Sequence, residues 1–308
     1  MLQPIQLRTL QEVLLTGSLA AAGARLGFTA SAVSQQIAAL ERQTGLVLFE
    51  RGPRSVRPTA AAHALAARVS AALGQMDLLE REFQVVAAGQ SGVVRLGSFP
   101  TASAGLLPQA LARLEQSHPG VSFLLDEAEP DDLVPRLRAG SLDLVLVYEY
   151  EVVPQAWPTD VDRTVLLREA LVVLLPKTHR LVGTGMVALA DLHDETWAST
   201  REDSAGTRSL ERLCAAAAFE PRVAYRSNDY AVLRGLVAAR LGVALVPGLA
   251  YQEHHGVVAV PLTDASAGRR VLMLRRRADT NSLVDAVAAA LQRAGRARGR
   301  EGPWASAT

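Results

Sequence analysis

The 308 residues carry 32 Lys and Arg against 31 Asp and Glu, with 49% hydrophobic residues, so a disordered chain is excluded and two or more folded domains are expected. No apolar run approaches the ~20 residues of a membrane-spanning helix, and the start lacks a basic segment followed by an apolar block. A single cysteine, Cys214, excludes an internal disulfide framework and a cysteine-built zinc site, which leaves a soluble, cytoplasmic protein as the expectation.

The near-neutral total conceals a basic head. Residues 1–70 hold seven Arg against three Glu, while the rest of the chain is slightly acidic. Such a head suits contact with a polyanion. Within it, Leu7, Leu10, Val13 and Leu14 recur at helical spacing and predict a first helix. Gly17 and Ser18 break the pattern, and Ser18 is a good N-cap for a second helix over 19–26. Gly27 stands where a left-handed C-cap is wanted, Phe28 is expected to plug the core, and Thr29 caps a third helix over 30–44.

In the third helix Val33, Ile37 and Leu40 form a buried stripe, and Ser31, Ser34, Gln35, Ala38 and Arg42 fall on the opposite face. Small and hydrogen-bonding side chains near a helix N-terminus permit close approach to base edges in a major groove, and the capping residues Ser18 and Thr29 are candidate DNA contacts with them. A solvated helix surface is the plainer alternative. Next, Leu46 to Arg51 and Val56 to Thr59 flank a Gly52-Pro53 turn and predict a β-hairpin wing. Its Arg51, Arg54 and Arg57 would neutralise phosphates and set register without reading sequence.

The run Gly17-Ser18-Leu19-Ala20-Ala21-Ala22 … Leu26 … Ser31-Ala32-Val33-Ser34-Gln35-Gln36-Ile37 … Leu40-Glu41 … Gly45 … Leu48-Phe49-Glu50-Arg51 … Arg57-Pro58-Thr59 resembles the winged helix-turn-helix of LysR-type transcriptional regulators. One position departs from the family's pattern. Ala30 stands where members often carry Gln, which implies a different operator preference.

From Pro58 to about Ala88 only Gly74 could interrupt a helix. Leu65, Val69, Ala72, Met76, Leu79, Phe83 and Val86 alternate four and three apart, the seam of a coiled coil. The alternative is a long helix packed on its own domain. Pairing two such helices would set two recognition helices on adjacent half-sites, and the family resemblance implies the same linker-helix dimer. Gly89-Gln90-Ser91-Gly92 then predicts a hinge.

Beyond Gly92, strand-like and helix-like segments alternate as in a parallel α/β lobe, and a second such series starts at Val165. The segment from Phe219-Glu220-Pro221 through Asn228-Asp229-Tyr230 to Leu241-Gly242-Val243-Ala244-Leu245-Val246-Pro247 also resembles this family, in its effector-binding region. The implied architecture is an α/β chain with an N-terminal winged helix-turn-helix (1–58), a linker helix and hinge (59–91) and a two-lobed effector-binding domain of periplasmic-binding-protein type (92–295). Lobe I takes 92–163 and 267–295, and lobe II takes 164–266. Residues 296–308, Arg/Gly-rich and then small and polar, are expected to form a disordered tail.

A ligand is expected beyond the carboxyl ends of the strands, between the lobes. Ser98 ends a strand, and Thr101 and Ser103 come at the approach to a helix expected from about Ser103 to Ser117. Tyr148 ends another strand, Thr200 and Arg201 follow one in lobe II, and Asn228 begins a turn. These groups suit a carboxylate or an amino acid, although each hydroxyl serves equally as a helix cap. Ala102 stands where members often carry Thr or Ser. No resident cofactor is expected beyond such an effector. His254-His255, Asp131-Asp132 and Cys214 suggest neither a metal site nor a catalytic pair, so an enzyme is not expected.

The partners implied are double-stranded DNA with dyad symmetry, a small-molecule effector, a second copy through the linker helix and, by resemblance, a homotetramer. RNA polymerase is a further candidate partner, and no membrane is implied. A solute-binding protein without a transcriptional role is the second reading, disfavoured by the heptads.

Overall fold

The computed structural model describes residues 2–51, 56–88, 92–264, 266–279, 281–301 and 304–306. The chain divides into two compact units, Met1–Gln90 with Pro135–Leu142, and Ser91–Val134 with Asp143–Thr308.

Local caps organise the first unit. Helices α1 (Pro4–Thr16), α2 (Leu19–Leu26) and α3 (Ala30–Thr44) follow one another. Ser18 Oγ accepts the Ala21 N–H at 3.3 Å and Thr29 Oγ1 accepts that of Ala32 at 3.2 Å, meeting donors that a first turn leaves unpaired. Gly27 and Gly45 end α2 and α3 with φ of 72°, where a β-carbon is disfavoured. Leu10, Val13, Ala22, Val33, Ile37 and Leu40 form one core with Leu48 and Phe49. Phe28 does not join it and is 41% exposed. Its backbone takes the space beside α2: a β-carbon on Gly23 would lie 2.6 Å from the Phe28 carbonyl oxygen.

Strands β1 (Phe49–Arg51) and β2 (Val56–Pro58) pair antiparallel, with Glu50 opposite Arg57. The wing starts later than the apolar run, since Leu46 and Val47 are exposed. Residues 52–55, with the Gly52-Pro53 turn and Arg54, lie outside the described residues, as does most of the expected hinge. Helix α4 (Ala60–Ala88) runs through Gly74 unbroken. Thr59 joins wing to helix: its Oγ1 donates to the Val47 carbonyl at 2.8 Å and accepts the Ala62 N–H at 3.3 Å.

In the second unit β3 (Gly92–Ser98) runs parallel to β4 (Val121–Glu127) and β5 (Leu144–Tyr150). Helices α5 (Pro100–Gly105) and α6 (Leu107–Ser117) separate the first two strands, and α7 (Pro130–Arg138) follows β4. The single helix expected from Ser103 is thus two. It opens at Pro100 and breaks at Leu106 (φ −120°, ψ −46°), because Pro108 has no N–H to offer the preceding turn. Strand β6 (Val161–Pro176) pairs antiparallel with β11 (Gly268–Arg276) as far as Ala170. From Leu171 onward its partners are β9 (Ala244–Pro247) and β10 (Val257–Pro261). One strand therefore serves both lobes, and it changes partners at 170–171 rather than at 163–164. The apolar run is unbroken there, so sequence carries no mark of the exchange.

Lobe II is completed by β7 (Thr196–Ser199) and β8 (Arg222–Arg226), a parallel pair, with helices α8 (Ala205–Ala216) and α9 (Tyr230–Ala238). Helix α10 (Ser282–Glu301) packs Val284, Val287, Leu291 and Ala294 into the core of lobe I beside Val94, Leu96, Leu144 and Leu146. The expected disordered tail is partly ordered. Helix α10 extends past residue 296 because it lies close on β6, where a β-carbon on Gly295 would sit 2.5 Å from the Leu166 carbonyl oxygen. Strand β12 (Ala305–Ser306) then pairs with β6. Among the described residues, no helix is long and apolar enough to cross a membrane.

Candidate functional site

The head presents one side of α3. Ser31, Gln35 and Arg42 are exposed and Ser34 and Ala38 half-buried, opposite the buried Val33, Ile37 and Leu40. Ser18 and Thr29, expected to meet DNA, both serve as helix caps. Arg57 is exposed on β2, whereas the Arg51 side chain and all of Arg54 lie outside the described residues. Sequence reading missed Glu41. Its Oε1 accepts the N–H groups of Leu48 at 2.8 Å and Phe49 at 3.2 Å, which fixes the wing against α3.

The apolar seam of α4 divides. Leu65 and Val69 turn into the core of the head, while Ala72 is exposed and Met76, Leu79 and Phe83 are 36%, 51% and 67% exposed. The Val86 side chain lies outside the described residues. Leu65 and Phe83 are 18 residues, five whole turns, apart and share one face, so the stripe becomes exposed because the helix, rising about 1.5 Å per residue, runs on past the core of the head.

Between the lobes, two chambers of about 370 and 460 Å³ each share lining residues with a small cavity of about 30 Å³, the throat. Of the residues expected to hold an effector, Thr101, Tyr148, Thr200 and Asn228 line the throat together. Ser98 is fully buried, with its Oγ 3.3 Å from the Phe99 carbonyl, and does not line these cavities. Neither does Ser103, whose hydroxyl is buried without a partner. Both Thr101 and Ser103 lie inside α5 and not before it. Two residues around a helix turn about 200°, so one faces the throat and the other turns away.

The floor of the throat was not anticipated. Arg269 on β11 lies directly opposite Glu169 on β6. Its Nε and Nη2 reach Glu169 Oε1 at 2.7 and 2.6 Å, and Nη2 also donates to Thr101 Oγ1 at 2.7 Å. Glu169 Oε2 accepts the Leu249 N–H at 2.6 Å. The guanidinium stands 4.9–5.8 Å from the ring centres of Phe99, Tyr148 and Tyr150. Burial disfavours its charge, but the Glu169 carboxylate and the nearby phenols outweigh burial and hold its pKa above the ordinary value. Burial likewise pushes the phenols of Tyr148, Tyr150 and Tyr230 up, so all three keep their protons. The sequence carried little signal for it: β6 holds Asp162, Arg163, Arg168 and Glu169 and β11 holds Arg269, Arg270, Arg275 and Arg276, and nothing local marks Glu169 and Arg269 as partners.

On the lobe I wall, Tyr148 Oη donates to Glu129 Oε2 at 2.6 Å. On the lobe II wall, Thr200 Oγ1 lies 2.6 Å from Ser204 Oγ, and Ser204, not Thr200, caps α8. Asn228 Oδ1 accepts the Arg201 N–H at 3.0 Å. Gly206 permits this packing: a β-carbon there would lie 2.7 Å from Thr200 Oγ1 and 3.3 Å from the Tyr150 hydroxyl. The larger chamber is lined by Glu129, Asp131, Asp132, Glu149 and Asp203 against Arg201 and Arg208. That excess of acid disfavours a purely anionic ligand.

Among the described residues, no group of His, Cys, Asp and Glu could hold a metal ion. Cys214 is buried, and burial pushes its thiol up to about 12.

A family model described as the bacterial regulatory helix-turn-helix protein of the lysR family matches residues 5–63, and the LysR substrate binding domain matches residues 87–296. The chain is 32% identical over 252 residues to the "Probable HTH-type transcriptional regulator LrrA" of Synechococcus elongatus, covering 80% of this chain and 81% of LrrA. It is 35% identical over 232 residues to the HTH-type transcriptional regulator ShiR of Corynebacterium glutamicum, covering 73% and 75%. Both relatives carry the description of an HTH-type transcriptional regulator. The fold matches full-length CbnR complexed with its target DNA at a TM-score of 0.65 and 20% identity, over 95% of this chain and 100% of CbnR.

Proposed function

The chain belongs to the LysR family of DNA-binding transcriptional regulators, and we propose that it reads a dyad-symmetric operator through α3 and responds to an amino acid held between its lobes. Ser31, Ser34 and Gln35 meet base edges, and Arg57 with the other wing arginines meets phosphates. The exposed stripe Ala72, Met76, Leu79 and Phe83 supports a dimer through α4, the first step to a homotetramer. Operator titration at several salt concentrations tests the head. Arg57→Ala should weaken all sequences alike and shallow the log–log salt slope by about 0.9, whereas Gln35→Ala should relax preference at particular bases. Two variants indistinguishable from wild type would remove α3 and the wing from the interface.

The effector class rests on one observation: the throat and its larger chamber present both signs of charge. Glu129, beside the Tyr148 ring, suits an ammonium group. Thr200, Ser204, Arg201 and the N-terminus of α8 suit a carboxylate. A zwitterion satisfies both, and a dicarboxylate meets the acidic rim unfavourably. A thermal-shift screen should find amino acids that stabilise wild type and lose that effect in Glu129→Gln. Stabilisation by dicarboxylates alone, or equal stabilisation of both proteins, would refute this class.

A further inference from the structure

Beyond Glu301 the next described residues, 304–306, return to the strand shared by the lobes. They lie past residue 296, where the family domain match ends. Ala305 and Ser306 pair with Glu169 and Arg168 of β6, and the Ala170 N–H donates to the Trp304 carbonyl at 2.8 Å. This is the point where β6 leaves β11 for β9. Helix α10, which carries the segment, belongs to the core of lobe I, whereas Trp304 packs against the lobe II cluster that includes Val172, Leu174 and Val246. Gly248 makes the space: a β-carbon there would lie 2.6 Å from Trp304 Cβ. The next residue, Leu249, gives its N–H to Glu169, Glu169 holds Arg269, and Arg269 holds Thr101 on the cavity wall. The Trp304 indole N–H is buried without an acceptor, so the contact is one of shape.

We propose that Trp304 is a positioning residue for the effector site: residues 304–306 form a strap that bridges the lobes and holds β6 still at its crossing. The strap thereby sets the separation of the cavity walls. This rests on the interlobe site of the preceding section. Without the strap, the Ala170 N–H loses its acceptor and lobe II loses an apolar tie to lobe I, so the lobes move more freely about 170–171.

The test uses the full chain with nitroxide labels on Ser117→Cys in lobe I and Glu211→Cys in lobe II, both exposed; buried Cys214 stays unlabelled. Without ligand, the parent should give one narrow interlobe distance distribution. Trp304→Ala should broaden it and speed amide exchange at Ala170 about tenfold or more, and Trp304→Phe should restore both. A distribution that stays narrow in Trp304→Ala would overturn the proposal, and so would broadening accompanied by exchange in β3 and β4, which is general unfolding. An equimolar mixture of the twenty protein amino acids, added separately, should raise the melting temperature of the parent more than that of Trp304→Ala. Equal rises in both would also overturn it. A mixture that stabilises neither protein refutes the amino-acid class, and the ligand-free distances still decide the strap.

Discussion

Replacing Arg269 with Met isolates what the buried pair contributes. The side chains of Arg269 and Glu169 are 2% and 0% exposed, so neither is helped by water. Arg269→Met removes both contacts to Glu169 Oε1, the bond to Thr101 and the stacking on three rings. Glu169 is left with the Leu249 N–H alone. Met fills comparable space, so the cavity penalty is small. Removing one partner of a buried pair costs about 3–5 kcal/mol, mostly through the stranded charge. For a domain of about 200 residues this lowers Tm by roughly 6–20 °C. Glu169→Gln in the same chain removes that charge and keeps an acceptor for Leu249, so the double variant should recover most of the loss. Urea unfolding followed by near-ultraviolet circular dichroism would measure all three proteins. A single variant within about 1 kcal/mol of wild type, or a double variant no better than the single, would refute the reasoning.

Three further outcomes follow from the geometry. Met76→Glu with Leu79→Glu places charge on the exposed stripe of α4 and should yield monomers by sedimentation with operator affinity reduced about 10²–10⁴-fold through lost bivalency; unchanged sedimentation would exclude this face as the dimer seam. Gly206→Ala drives a β-carbon to 2.7 Å from Thr200 Oγ1, so stability should fall by about 1–3 kcal/mol and amino-acid stabilisation should vanish while operator binding persists; a ligand response that survives would move the site elsewhere. Cys214, its thiol pushed by burial from 9.0 up to about 12, should resist aromatic disulfide reagents at pH 8 until urea is added. The thiol is neutral in both states below pH 9. Above that the unfolded chain ionises first, so stability should fall between pH 9 and 12, and less so in Cys214→Ala.

The head was legible because its determinants act within a few residues. Ser18, Thr29 and Gly27 cap locally, and Val33, Ile37 and Leu40 repeat at the helical period, so the exposed face of α3 follows directly. The break at Leu106 was within reach, since Pro108 marks it. Phe28 was not: whether a side chain after a left-handed turn is buried depends on which backbone already fills the space. The interlobe cavity was half legible. Strand ends and turns pointed to Thr101, Tyr148, Thr200 and Asn228, which line it together, but also to Ser98 and Ser103, which do not. The cavity floor depends on Glu169 and Arg269, 100 residues apart in sequence and opposite each other only once β6 and β11 pair. Residues 304–306 read as tail because Ala and Ser carry no strand signal, and their order comes from an open edge of β6 and the space beside Gly248. Sequence alone determined the elements and the family, through caps and periodicity. The charge balance of the cavity and the ordering of the C-terminal residues arise from contacts between distant segments, which only the tertiary structure decides.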